Sequence, residues 1–192
     1  MTAARLRAAF IAASVAWAVL LGAAPFLASR SHASPLATAL IVGVYGIGSL
    51  VCHQLPERSS HWWTVQMPVC ARCAGIYFGA ACGAVASAFR TAQAVRHNRS
   101  HVAQAFSPVK GPTDVVQAFS PVKAPTDVAQ GFSPARRARL ALALAVAPTL
   151  LTLVYEWTTG DMPSHAIRAA AGVPIGLVVA WLVVAAADNQ VN

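Results

Sequence analysis

The sequence predicts an all-α integral membrane bundle of about five transmembrane helices, with a disordered repeat loop in the middle of the chain. Of its 192 residues, 57% are hydrophobic and only 10% are charged, whereas about a quarter of the residues in a soluble domain are charged. The few charges are separated by long apolar runs, and roughly 20 apolar residues suffice to cross the hydrocarbon core of a bilayer. This composition argues against a soluble enzyme and predicts the lipid bilayer as the main partner of the chain.

Five apolar runs account for the predicted helices. They comprise residues 8–29, 33–52, 68–89, 140–157 and 169–187. Arg72 is the only charge in the third run, and Pro68 is a suitable first-turn residue for its helix. Arg5 and Arg7 before the first run also resemble the start of a signal peptide, but the run is long for the apolar part of such a peptide.

These runs divide the chain into three parts. Residues 1–89 contain the first three helices and a Cys-rich hairpin, residues 90–139 form a flexible loop, and residues 140–192 contain the last two helices. The loop carries tandem repeats with a period of 13 residues, Val102–Asp114, Val115–Asp127 and the shorter Val128–Arg136. Each repeat has too few apolar groups to bury a face against its neighbour, which favours a flexible loop over a partner-binding array.

The net charge of +8 indicates that basic residues are concentrated in cytoplasmic loops, and it is not taken as a sign of nucleic-acid binding. With five crossings, the N-terminus and the Cys-rich hairpin share one side of the membrane, and the repeat loop and C-terminus share the other. Six arginines flank the repeat loop, Arg90, Arg96, Arg99, Arg136, Arg137 and Arg139. The positive-inside rule then predicts a multi-pass protein of a bacterial cell membrane with a cytoplasmic repeat loop, although Arg5 and Arg7 oppose this orientation.

Two short motifs carry the predicted chemistry. Cys52-His53 ends the second run, and Cys70-Ala-Arg-Cys73 opens the third. The short loop between them lets three thiolates and one imidazole meet at one membrane face. This is a ligand set for zinc, and thiolate-rich sites also suit copper(I) or iron. We therefore expect a transition metal at Cys52, His53, Cys70 and Cys73.

Two alternatives to the metal site stay open. Cys70 and Cys73 could act in thiol–disulfide exchange, linked to a quinone and with Cys52 as a resolving thiol. The cysteines could also be small buried residues of a structural or assembly subunit without catalysis. Whether the protein is an enzyme is not determined by either motif. Cys82, nine residues after Cys73, is predicted to be a core residue.

The two motifs together resemble domain-of-unknown-function family 2085, a group of small predicted polytopic membrane proteins with no established activity. The matching positions are Cys52, His53, Gln54, Pro56, Glu57, Arg58, Ser59, Pro68, Cys70, Arg72, Cys73, Gly75, Ile76, Tyr77 and Gly79. A weaker similarity lies near the C-terminus, at Pro148, Glu156, Ser164, Arg168, Gly172 and Gly176. The chain departs from the family pattern at Ala74, where Thr is usual, and at Glu156-Trp157, where Asp-Gly is usual. The resemblance implies a membrane setting but no reaction.

Several further residues are expected to support the site. Small residues spaced by four predict helix contacts at Gly75, Gly79 and Gly83 in the third helix and at Gly172 and Gly176 in the fifth. The polar residues expected to support the metal are Gln54, Glu57, Arg58, Ser59, Arg72, Tyr77, Glu156 and Arg168. Among them, Arg168 could pair with Glu156, while Arg58 and Arg72 surround an anionic ligand or the thiolates. Alternatively, Arg72 and Arg168 only extend to the nearby water.

Overall fold

The computed structural model describes residues 3–30, 32, 34–105 and 134–189. In these residues the chain forms five α-helices, one 3₁₀ turn and one short β-hairpin. In order, they are α1 (Ala3–Ala28), α2 (Pro35–Val51), the 3₁₀ turn (Pro56–Arg58), β1 (His61–Trp62), β2 (Val65–Gln66), α3 (Ala71–Ala105), α4 (Pro134–Thr159) and α5 (His165–Asn189). The two strands pair antiparallel.

The predicted all-α membrane bundle is confirmed. Four helices, α1, α3, α4 and α5, are long and apolar enough to cross a membrane. The helix α2 has 17 residues and is about 26 Å long at 1.5 Å per residue, slightly less than the roughly 30 Å of a bilayer core. It begins at Pro35 after an N-cap by Ser34, whose side chain accepts a hydrogen bond from the Ala37 N–H.

The helices α3 and α5 run parallel and approach each other very closely. A Cβ atom built on Gly75 would lie 1.9 Å from the Ala169 carbonyl oxygen, and one built on Gly83 would lie 2.8 Å from that of Leu177. From the first contact to the second, the residue numbers increase in both helices, so α3 and α5 point in the same direction. Gly79, Gly172 and Gly176 lie at the same contact. These five glycines let the two backbones touch, as small residues do in lipid.

The helices α1 and α4 run in the opposite direction. Gly22, near the end of α1, lines a cavity with Ala169, while Leu6, near its start, lines another with Val184. The helix α4 packs antiparallel to α5, since its late residue Glu156 pairs with the first turn of α3. One end of the bundle therefore holds the ends of α1 and α4 and the starts of α3 and α5. We call it the cysteine end, and the opposite end the arginine end.

The helix α2 begins and ends at the cysteine end. Residues 29–34 connect it to the end of α1, and six residues reach at most about 21 Å. This is too short to return to the arginine end before α2 begins. Because α2 is followed by the hairpin that starts α3, the chain leaves it at the cysteine end as well. The N-terminus of α1 consequently lies at the arginine end, whereas five crossings would place it with the cysteines.

The predicted loop of residues 90–139 is helical at both of its described edges. The helix α3 continues to Ala105, well past the predicted end at Phe89, and α4 already begins at Pro134. Most of the tandem repeats lie outside the described residues. Cys82, predicted to belong to the core, is exposed on α3, because a position nine residues after Cys73 faces away from the side that carries the cysteine motif.

Candidate metal centre

The connection between α2 and α3 is held together by Gln54. Its backbone has a φ of 50°, which turns the chain back toward α2. The Gln54 amide donates hydrogen bonds to the carbonyl oxygens of Tyr45 in α2 (3.0 Å) and of Pro68 before α3 (2.6 Å). The Gln66 amide in turn donates to the Gln54 carbonyl at 2.6 Å. This predicted supporting residue therefore joins the two segments that carry the cysteines.

A close backbone approach completes the same connection. A Cβ atom on Gly48 in α2 would lie 2.3 Å from the Pro68 carbonyl oxygen, so only glycine fits there. The Tyr45 hydroxyl donates to the Gln66 carbonyl. Sequence reasoning missed Tyr45, Gly48 and Gln66. Their signal was a glycine and two polar groups placed next to the motifs in otherwise apolar surroundings.

Three of the four predicted ligands come together. The sulfur atoms of Cys52, Cys70 and Cys73 all lie within 4.8 Å of one another, and we call them the cysteine cluster. Cys52 caps the end of α2, and its sulfur accepts a hydrogen bond from the Cys70 N–H at 3.2 Å. Cys70 and Cys73 lie one helical turn apart at the start of α3, so both face Cys52.

The fourth predicted ligand, His53, is not part of this cluster. Its side chain is exposed, and among the described residues the group of mutually close ligand atoms contains the three cysteines alone. Cys52 has an extended backbone, with φ −149° and ψ 138°. Successive side chains of an extended chain point to opposite sides, so the His53 ring does not join the three sulfurs, although His53 lines the cavity beside them.

Hydrogen bonds lower the pKa of the Cys70 thiol to about 5. The largest effect comes from the Cys73 side chain. It outweighs burial, which would raise the pKa, and the Cys73 N–H, the Cys52 side chain and the Arg72 N–H lower the pKa further. Cys70 immediately precedes α3. The lowered pKa favours the thiolate, the form that binds metals and attacks disulfides.

Arg72 points away from the cysteines to which it is adjacent in sequence. Its guanidinium forms an ion pair with Glu156 at the end of α4, with 2.6 Å between Nη2 and Oε1. The same group donates to the Thr152 hydroxyl at 3.2 Å. Both charged side chains are largely buried. The predicted pairing of Glu156 with Arg168 is therefore wrong, and the role of Glu156 is to neutralise Arg72.

Arg168 is held by the 3₁₀ turn and by the first residue of its own helix. It is 2% exposed and so does not extend to water. Its guanidinium donates to the Glu57 carbonyl oxygen at 3.2 Å and lies 2.9 Å from Nδ1 of His165. Ser59, also predicted as a supporting residue, is fully buried beside this turn. Arg168 thus ties the 3₁₀ turn to the start of α5.

Beside the cysteine cluster lies a cavity of about 370 Å³. Its wall contains the three cysteines together with His53, Gln54 and Arg58. The Nε atom of Arg58 is buried and has no hydrogen-bond partner among the described residues. Tyr77 lies one turn further along α3, where it packs edge-on against Trp17 with 6.0 Å between the ring centroids. Tyr77 therefore contributes to packing below the cluster.

The fold and site together define a helical membrane protein with a cysteine cluster at one end of the bundle. Residues 52–110 match the family model described as predicted membrane protein, domain of unknown function 2085. This confirms the resemblance that the Cys-His-Gln and Cys-x-x-Cys motifs indicated. The match covers the connection and α3, and the weaker similarity expected near the C-terminus lies outside it.

The chain is similar to one further protein. The uncharacterized protein MJ1492 of Methanocaldococcus jannaschii is 39% identical over 62 residues, which are 32% of this chain and 40% of the relative. The chain thus spans less than half the length of that relative, whose name states no activity. No solved structure matches the chain significantly.

Proposed function

We propose that this membrane protein binds a transition metal ion through the thiolates of Cys52, Cys70 and Cys73. The observation that carries the proposal is the mutual distance of the three sulfurs, all within 4.8 Å. Metal–sulfur bonds of about 2.3 Å place the sulfurs of one tetrahedral ion about 3.8 Å apart, so small adjustments suffice. Thiolate ligands favour zinc, copper(I) or iron.

Two features of the surroundings support this proposal. The lowered pKa of Cys70 reduces the cost of removing its proton when a metal ion binds. Gln54 fixes the two cysteine-bearing segments through its three hydrogen bonds. The job of such a centre would be metal handling or a redox step that uses the ion.

Metal content tests the proposal. The chain, purified in detergent and washed under reducing conditions, should retain about one metal ion per molecule in elemental analysis. Cys73→Ser should abolish this content. Cys82→Ser is a matched control, since Cys82 is on the same helix but exposed, and it should leave the content unchanged. Wild-type protein without metal would overturn the proposal.

The membrane orientation forms part of the same proposal. Arg5, Arg7 and the six arginines next to the repeats all belong to the arginine end, since they lie near the start of α1, the end of α3 and the start of α4. The positive-inside rule then supports an arginine end in the cytoplasm and a cysteine cluster on the extracytoplasmic side.

A thiol–disulfide protein is the second candidate. The low pKa of Cys70 beside Cys73 is typical of Cys-x-x-Cys redox pairs. Oxidation of the Cys70 thiolate and the Cys73 thiol would form a disulfide. Two electrons and the Cys73 proton would pass to a quinone, which takes its second proton from water, or to a partner disulfide. Alkylation of free thiols before cell lysis tests this function. It requires both redox states in cells, and a pair that is always reduced would exclude it.

A further inference from the structure

We propose that the metal centre is an open one, in which Cys52, Cys70 and Cys73 supply three ligands and the fourth position accepts a small anion beside Arg58. This inference rests on the proposed function. The ligand count supports it first. Closed structural zinc sites have four protein ligands, whereas sites that exchange ligands have three and an open position. The described residues bring three ligand atoms together.

The cavity gives the fourth position room. It has a volume of about 370 Å³, and all three cysteines belong to its wall. An ion held by the three sulfurs is therefore next to space large enough for a small ligand. A closed site would instead have a fourth protein ligand filling this space.

The other polar groups around this cavity are not ligands in the described residues. His53 lines the cavity, but its side chain is exposed and its ring nitrogens lie outside the group of mutually close ligand atoms. The Gln54 amide nitrogen is engaged by the carbonyl oxygens of Tyr45 and Pro68. Glu57 is exposed, and its backbone is tied to Arg168 at the start of α5.

Arg58 allows the cavity to accept an anion in this position. Three thiolates around a divalent ion leave one net negative charge, which by itself repels a further anion. Arg58 in the cavity wall compensates this charge, and its buried Nε has no partner among the described residues. Arg72, the neighbouring cation, is already neutralised by Glu156. A charge-assisted hydrogen bond from Arg58 would stabilise the bound anion.

Cobalt(II) substitution makes the fourth position visible. The purified chain is loaded with cobalt(II) in detergent, and its visible absorption bands are followed during titration with azide, an anion, and with imidazole, which is neutral. Both ligands should shift the bands. Arg58→Gln should weaken azide binding about tenfold because it removes one nearby charge, and should change imidazole binding less than about twofold. Arg58→Lys keeps the charge and should retain azide affinity within about threefold.

His53→Ala separates the open site from the four-ligand site. It should leave the cobalt spectrum without added ligand unchanged. A spectrum altered by His53→Ala without added ligand, or bands that respond to neither azide nor imidazole, would overturn the open site. So would an Arg58→Gln variant that binds azide as tightly as the unsubstituted chain. A chain that binds no cobalt would instead contradict the proposed metal function itself.

Discussion

Cys70 lies outside the membrane-spanning segments, and its thiol has a pKa well below that of an ordinary cysteine. In metal-free protein, its pKa of about 5 predicts that alkylation by iodoacetamide reaches half its maximal rate near pH 5, against about 8.5 for a free cysteine. Below pH 5 the thiol becomes protonated and the reaction slows. Mass spectrometry of chelator-treated protein after short alkylation pulses at different pH values measures this midpoint.

Cys73→Ala is the control for this prediction. The substitution removes the hydrogen bond that lowers the Cys70 pKa most, so the alkylation midpoint should move up toward the value of a free cysteine. A Cys70 midpoint near pH 8 in the unsubstituted protein would show that the hydrogen bonds in the cluster do not stabilise a thiolate.

The sequence was sufficient to predict the cysteines of the site but not the partners of its arginines. The three cysteines were predictable because a helix end and a Cys-x-x-Cys helix start are joined by a short loop. The partners of the arginines were not. Arg72 and Arg168 lie at the same membrane depth, so depth alone could not decide which one pairs with Glu156. The rotation of α3 and its contact with α4 decide in favour of Arg72.

The contact between α3 and α5 determines stability at the scale of whole elements. A Cβ atom at Gly79 would lie 2.2 Å from the Val173 carbonyl oxygen, so Gly79→Leu must push the two helix backbones apart. Overpacking of this kind costs about 1–3 kcal/mol. We expect a lower unfolding temperature in detergent, measured by circular dichroism. Gly43→Leu is the matched control, because a Cβ there meets no atom within 4 Å.

An equal unfolding temperature for Gly79→Leu and Gly43→Leu would contradict the close approach of α3 and α5.

The sequence predicted both glycine stripes, since small residues at every fourth position identify a contact face. It could not tell that the two stripes meet each other in parallel helices. That pairing depends on the order of the helices around the bundle, which spacing along one helix does not contain.

The helix α2 is the element that the sequence described least well. It is uncharged and apolar, and its outward residues Leu36, Val42 and Leu50 are strongly exposed. We expect these side chains to contact lipid at the cysteine end. A helix of this composition is indistinguishable from a crossing helix by hydropathy. Its course is decided by where the ends of α1 and α3 lie, which is a property of the tertiary structure.

At the scale of the whole molecule, the course of α2 resolves a conflict in the charge pattern. With five crossings, Arg5 and Arg7 lie on the side opposite the six arginines next to the repeats. With α2 returning to the cysteine end, all eight belong to the arginine end. A single orientation then satisfies the positive-inside rule at the N-terminus and at the predicted repeat loop together.

Labelling of introduced cysteines in intact cells distinguishes the two arrangements. Four crossings group the N-terminus with the C-terminus, so Ala4→Cys and Asn192→Cys should react with a membrane-impermeant maleimide only after permeabilisation. His32→Cys and Asp161→Cys should react from outside. Five crossings would instead group residue 4 with 161 and residue 32 with 192. The unsubstituted chain gives the background from its own cysteines, and mass spectrometry locates each label. Labelling of residue 4 together with residue 161 would mean that α2 crosses the membrane, and that the cysteine cluster and the N-terminus share one side.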